Sequence, residues 1–338
     1  MDKNGKEKKT SLLTRFRQSD TSVLVIALFL LCVITYAIKP VFLSERNIMN
    51  TLRQVSLTAI CGFGLTLIIL VGEIDLSVGS QQAVAGILSI IVLNATGSVW
   101  LAVLAALLGG IVVGGINGLI VTKFKINSMI VTLGTMAIWR GASMVFTNAV
   151  SIQSNFTVFQ DLATGYIGPI PNAVIIAAVI FIIVYFVLKH TTFGRYIYAI
   201  GGNQEAARFA GLPVDRIKLT VYIIGSVLTM LSGVLLASRM ASAQPTAGNG
   251  FEMTVIASVI LGGVSLSGGI GSISGAVIGM LILGVLQNAL TLIDVNSFWQ
   301  DISRGIVIIL AVAVDSMRKN SIAKGLIRAQ KQQQKEGL

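Results

Sequence analysis

The sequence predicts an all-α polytopic membrane protein of about ten transmembrane helices, one of them short or re-entrant, with both termini cytoplasmic. Three observations predict it. Of 338 residues, 54% are hydrophobic and 12% charged, and mean hydropathy is +0.84, whereas a soluble globular chain carries roughly 25% charge. Apolar windows close to the roughly 20 residues needed to cross a hydrocarbon core recur along most of the chain. Lysine and arginine crowd the two ends and alternate connecting segments.

The windows are residues 22–38, 55–72, 76–94, 99–121, 128–147, 172–189, 217–237, 253–264, 272–291 and 299–316. The first follows about twenty polar residues and ends at no clear small-residue cleavage site, so it reads as a retained helix and not as a signal peptide. The eighth is too short to span unaided; running into a Gly-Ser-rich stretch, it reads as a half-helix, a re-entrant segment or a tilted span. The organisation expected is a tail over 1–21, a membrane domain over 22–316 with an internal loop at 189–218, and a tail over 317–338.

The net charge of +11 is a matter of placement. Twelve of the 25 Lys and Arg lie in the tails: Lys3, Lys6, Lys8, Lys9, Arg15 and Arg17, then Arg318, Lys319, Lys324, Arg328, Lys331 and Lys335. With a cytoplasmic N-terminus, the inside segments hold nineteen of the 25 and the outside segments only Lys39, Arg46, Arg53 and Arg239. That asymmetry fixes the orientation by the positive-inside rule. Tail clusters beside apolar spans read as anchors on the anionic leaflet of a lipid bilayer, not as a nucleic-acid surface, which needs a basic face on a folded domain.

Several function classes lack raw material. Cys32 and Cys61 both fall in apolar runs, His190 is the single histidine, and no clustered ligand set exists for a metal or a His-based active site. No cofactor is expected on this chain. Glycine marks helix contacts, as in Gly110-x-x-x-Gly114-x-x-x-Gly118 and Gly271-x-x-x-Gly275-x-x-x-Gly279, where small residues one turn apart let backbones approach. No Gly-x-x-x-x-Gly-Lys-[Ser/Thr] loop is present, so any ATP hydrolysis belongs to another polypeptide.

The internal loop is the most informative soluble segment. Gly201 and Gly202 break the chain, Asn203 is a good N-cap, and Gln204, Glu205, Ala206, Ala207, Arg208 and Phe209 make about two turns of helix before Gly211 and Pro213 stop it. Such a helix either docks in a partner's groove or lies on the membrane surface as an amphipathic connector.

Four blocks in order, Gly72-Glu-Ile-Asp-Leu-Ser-Val-Gly-Ser80, Gly194-Arg-Tyr-Ile-Tyr-Ala-Ile-Gly-Gly-Asn203, Ser242-Ala-Gln-Pro-Thr-Ala-Gly248 and Leu261-Gly-Gly-Val-Ser-Leu-Ser-Gly-Gly-Ile-Gly271, resemble the permeases of simple-sugar ABC importers. The likeness runs from about residue 42 to 316. It implies a permease for a sugar of the ribose type, or for a sugar-like solute such as the furanosyl signal autoinducer-2. It also implies a homodimer with a second copy of the chain, a cytoplasmic ATPase subunit and a periplasmic sugar-binding protein. Glu205-Ala-Ala-Arg-Phe-Ala-Gly211 is similar to the Glu-Ala-Ala-x-x-x-Gly segment that docks in such ATPases, although Leu212-Pro213 follow at once where the wider pattern places them further on.

An uncharged, hydroxyl-rich substrate calls for amides and hydroxyls along its path. Asp75, Ser77, Gln81, Asn117, Asn127 and Asn288 are the candidates in or beside spans, with Gln287 next to the last. For each, an ordinary structural duty competes: Asp75, helped by Ser77, caps the third span, and the amides bond neighbouring helices. Arg140 and Arg304 sit within spans and need partners; Asp301 is three residues before Arg304. Arg46, Arg53 and Arg239 are the scarce outward cations, candidates for contact with the binding protein or with headgroups. An ion-coupled secondary transporter would instead need ionisable residues in mid-span, which are nearly absent, and a membrane scaffold would show no transport at all.

Overall fold

A computed structural model describes residues 20–310 and 312–313. Most of the two basic tails lies outside the described residues.

The chain forms helices α1 (Asp20–Ile38), α2 (Glu45–Leu70), α3 (Val78–Thr96), α4 (Val99–Phe124), α5 (Ser128–Thr147), α6 (Thr157–Thr164) and α7 (Asn172–His190). It continues with α8 (Thr192–Gly202), α9 (Gln204–Phe209), α10 (Val214–Met240), α11 (Phe251–Leu261) and α12 (Ile273–Leu292), then a helical stretch over 297–310. Four two-residue strands pair antiparallel, β1 (Ile152–Gln153) with β4 (Ser242–Ala243) and β2 (Tyr166–Ile167) with β3 (Ile170–Pro171).

Among the described residues each of the ten apolar windows overlaps a helix. Seven helices among the described residues, α2, α3, α4, α5, α7, α10 and α12, are long and apolar enough to cross a membrane. Helix α11 has 11 residues, about 16 Å at 1.5 Å per residue, so it reaches through only half of a hydrocarbon core about 30 Å thick. Small polar residues start many of the helices as N-caps: Ser44 before α2, Ser98 before α4, Asn127 before α5, Asn203 before α9 and Ser272 before α12 each accept a backbone N–H.

Helix α2 is the central pillar. Of its most apolar stretch 83% is buried, against 22% in α5 and α7, whose aliphatic side chains face outward as lipid-exposed surface does. Helix α10 packs along α2, α3 and α4. The first glycine run makes this possible: a methyl group on Gly110 would sit 2.8 Å from the Val227 Cα, and one on Gly114 2.5 Å from the Tyr222 carbonyl oxygen. Gly275 and Gly279 do the same service for α12 against the end of α11. At the far end, α6 is pinned to α10 through Ser238, whose Oγ donates to Phe159 O at 2.6 Å and accepts from Ala163 N at 3.1 Å.

Two helix breaks share one sequence pattern. Gly72-Glu-Ile-Asp-Leu-Ser-Val-Gly79 and Gly262-Gly-Val-Ser-Leu-Ser-Gly-Gly269 match as Gly-x-[Ile/Val]-[Asp/Ser]-Leu-Ser-x-Gly. Each follows a buried apolar helix and leads into a helix of 19 or 20 residues. They meet: Gly269 N donates to Leu70 O at 2.9 Å.

Candidate coupling site and polar cavity

The segment singled out in the sequence folds as two helices in series. Thr191 caps α8, its Oγ1 accepting from Gly194 N. Gly201 and Gly202, expected to break the chain, are instead the last turn of α8, and the turn comes one residue later at Asn203, whose extended backbone and Oδ1, accepting from Ala206 N at 2.9 Å, start α9. The reason is packing: a Cβ on Gly201 would collide with the Leu70 carbonyl and with Gly269 N, so a helical glycine is what lets α8 lie on both breaks. Helix α9 closes with Gly211 at φ 81°, and Leu212 N donates to Ala207 O while Gly211 N donates to Arg208 O. That double bond pattern terminates a helix through a left-handed glycine.

Helix α9 stands proud of the bundle. Ala207 is its single buried residue; Gln204, Glu205, Ala206 and Arg208 are exposed, and the Phe209 ring is 90% exposed. Arg208 and Lys125 both pair with Asp215 at 2.8 Å on the surface. Below them is a buried link. Lys218 at the base of α10 ion-pairs with Glu73 in the first break and donates to Gln204 Oε1 at 2.6 Å; Glu73 and Lys218 are 9% and 6% exposed. Tyr198 of α8 donates to Gly271 O beyond the second break at 3.0 Å. The α8–α9 segment is thus tied to both breaks and to α10.

The expected path residues separate into two groups. Asp75, Ser77, Gln81 and Asn117 gather in one sealed cluster with 0% exposure. Asp75 accepts from Ser77 N at 2.8 Å, from Ser77 Oγ and from Gln81 Nε2 at 3.0 Å, and Asn117 Nδ2 donates to Ser77 Oγ at 3.1 Å. Asp75 therefore holds the first break in shape, and Ser77 itself is the residue before α3. Asn127 caps α5 at the surface, and Asn288 forms a reciprocal amide pair with Asn47 of α2 at 2.9 and 3.0 Å, an interhelical tie.

The arginines also divide. Arg46 and Arg239 are exposed. Arg53 is not an outward contact: it is 8% exposed, donates to Asn50, to Thr164 O and to the Tyr166 hydroxyl at 2.7 Å, and lies over the Tyr166 ring. Arg140 finds the partners it needs in the backbone: its Nη1 donates to the carbonyls of Pro245 and Ala247 at 2.8 and 2.7 Å, since the non-helical segment before α11 offers free acceptors. Arg304 does pair with Asp301, at 3.1 Å.

In the half of the bundle remote from α9 lies a cavity of about 260 Å³ between α2, α3, α10, α11 and α12. Gln54, Gln82, Asn249, Phe251, Thr254 and Gln287 are among its lining residues, together with Arg239 and Arg304. Of these amides only Gln287 stands out in the sequence; Gln82 lies one residue beyond Gln81, which draws notice first. Its helical register gave the signal: Gln82 and Gly86 are one turn apart on α3, against Gly233 and Ala237 of α10 and Ala243 of β4.

Comparison with known proteins agrees with this architecture. The family described as branched-chain amino acid transport system / permease component matches residues 47–312. The chain is 42% identical to the ribose import permease protein RbsC of Escherichia coli strain K12 over 300 residues, covering 87% of this chain and 93% of that protein. It is 43% identical to the Bacillus subtilis strain 168 protein of the same name, covering 88% and 92%, and 38% identical to the L-arabinose ABC transporter permease protein AraH of Azospirillum brasilense, covering 88% of each. No solved structure matches the chain significantly. With the match spanning nearly all of its helical body, the chain belongs to this family of transport-system permease components.

Proposed function

We propose that this chain is the membrane-spanning permease subunit of an ATP-driven importer that carries ribose, or a similar monosaccharide, across the bacterial inner membrane. The observation that carries the reading is α9: a capped, two-ended surface helix with an uncovered Phe209 ring, bound at its root to both helix breaks. A helix so built can receive force from a partner and pass it inward through the contacts at its root. Ribose is the substrate named for the Escherichia coli and Bacillus subtilis relatives.

In this reading Gly201–Gly211 is the docking surface for a separate ATPase subunit, since the chain has no phosphate-binding loop of its own. Two copies of the chain form the importer, both termini face the cytoplasm, and a periplasmic binding protein delivers sugar at the opposite face, where Arg46 and Arg239 are exposed. Alternating access follows from the two breaks, which a movement of α8 and α9 displaces together.

The test is ATP-dependent uptake of labelled ribose by proteoliposomes holding this chain, its ATPase and its binding protein. Glu205→Lys and Phe209→Asp should abolish uptake while the permease still folds and purifies normally. Uptake that proceeds without ATP or the partner subunits would sink the reading.

A further inference from the structure

Resting on the importer reading, the cavity remote from α9 carries a more specific inference. Gln82 of α3 is 2% exposed. Its Nε2 donates to Ser232 Oγ at 2.8 Å, and Ser232 donates onward to Leu57 O at 2.8 Å, so the amide is locked in one orientation. Its Oε1 has no partner and is itself covered; the residue lines the cavity, so a ligand there reaches this oxygen when the wall opens. A buried acceptor left unpaired is destabilising unless something outside the fold satisfies it. Around it, the amides of Asn249 and Gln287 supply both donors and acceptors, Thr254 a hydroxyl, and Phe251 an apolar ring. That mixture, a few convergent polar groups and one aromatic face, suits a small neutral polyol.

Two arginines also line the cavity. Arg304 is countered by Asp301, which leaves Arg239 as the one lining cation with no ion pair among the described residues. No further basic group lines the cavity, where an anionic sugar would call for a cluster of cations.

We propose that this cavity is a transient monosaccharide subsite inside each permease subunit, and that the Gln82 carboxamide oxygen accepts a sugar hydroxyl there. Sugar passing through the importer pauses in it, with Gln82 discriminating hydroxylated substrates from apolar ones.

A reporter thiol tests this in the assembled complex. Thr58→Cys in a Cys32→Ser background places one accessible thiol on the cavity wall, because Cys61 is fully buried. With ribose at about ten times its dissociation constant for the site, maleimide labelling should slow about tenfold. Gln82→Leu should abolish this protection, and Ser232→Ala, which leaves Oε1 in place, should keep it. Protection that survives Gln82→Leu, or that is lost equally in Ser232→Ala, overturns the role of Gln82. Protection by ribose 5-phosphate in place of ribose overturns the neutral ligand. An absence of protection, while the native complex imports ribose with ATP, overturns the subsite and leaves the importer standing; failure of the native complex to import any sugar overturns the importer reading beneath it.

Discussion

The two ends of the bundle are built on opposite plans. At the end carrying α9, backbone lies on backbone: Gly201 on Leu70 and Gly269, Gly268 on Gly72, with a buried ion pair beside them. At the other end the helices stand apart around a polar cavity lined by amides. The difference teaches a division of labour. Force travels through contacts that have no slack, because close-packed groups shift as a unit; a hydroxylated solute travels through a space whose polar groups are available to it.

The ion pair is the sharpest place to break that contrast. Lys218→Met strands the Glu73 carboxylate in a dry site and should lower stability by about 3–5 kcal/mol. Glu73→Leu with Lys218→Met should restore much of it, because a buried pair replaced by apolar residues is often near neutral. Thermal unfolding of the detergent-solubilised protein checks both; a single mutant as stable as the native chain would show that water reaches this end after all.

Gly201→Val comes next. Its side chain has nowhere to go, and overpacking of this kind costs about 1–3 kcal/mol. The expected signature is α8 lifted from the breaks: ATP hydrolysis continues but no longer drives uptake, a ratio measured in proteoliposomes. Unchanged coupling would mean that the close approach serves folding alone.

Arg140→Gln loosens the other end. It removes two charge-assisted bonds to the segment before α11, and for a half-exposed guanidinium the loss should be about 1.5 kcal/mol. Faster hydrogen exchange confined to residues 241–250 is the expected observation.

Arg208→Ala is the smallest. Its partner Asp215 is half exposed and shared with Lys125, so stability should change by less than about 1 kcal/mol and the effect should fade with salt. Any large loss of uptake in this variant then belongs to docking of the ATPase and not to the fold, which a pull-down with that subunit separates.

Much of this was legible in the sequence. Apolar windows located every long helix, because in lipid the backbone has few alternatives to a helix. Asn203 and Gly211 bounded α9 correctly because capping is local chemistry. What stayed hidden is tertiary. Gly201 and Gly202 looked like breakers, and contact with Leu70 and Gly269 explains why Gly201 is kept inside a helix. Arg53 looked like a free outward cation until the fold brought Tyr166 over it. Asp75 and Gln81 drew attention as rare polar residues, yet they bond one another in a sealed cluster, while Gln82, with the same side chain, lines a cavity made by four other helices. The repeated octapeptide was open to view throughout, but its meaning depended on the two copies meeting in space.

The shortness of α11 bears on how this protein is made. Eleven residues cannot settle across a bilayer alone, and residues 241–250 before them are non-helical apart from β4, a state lipid does not tolerate unshielded. The ribosome must therefore deliver α12 before α11 has a stable home, with Gly262, Gly275 and Gly279 closing the pair into a hairpin. Biogenesis of this chain has one step at which two segments enter the membrane together, and a nascent chain arrested between residues 261 and 273 should remain extractable there while one arrested after residue 292 should not.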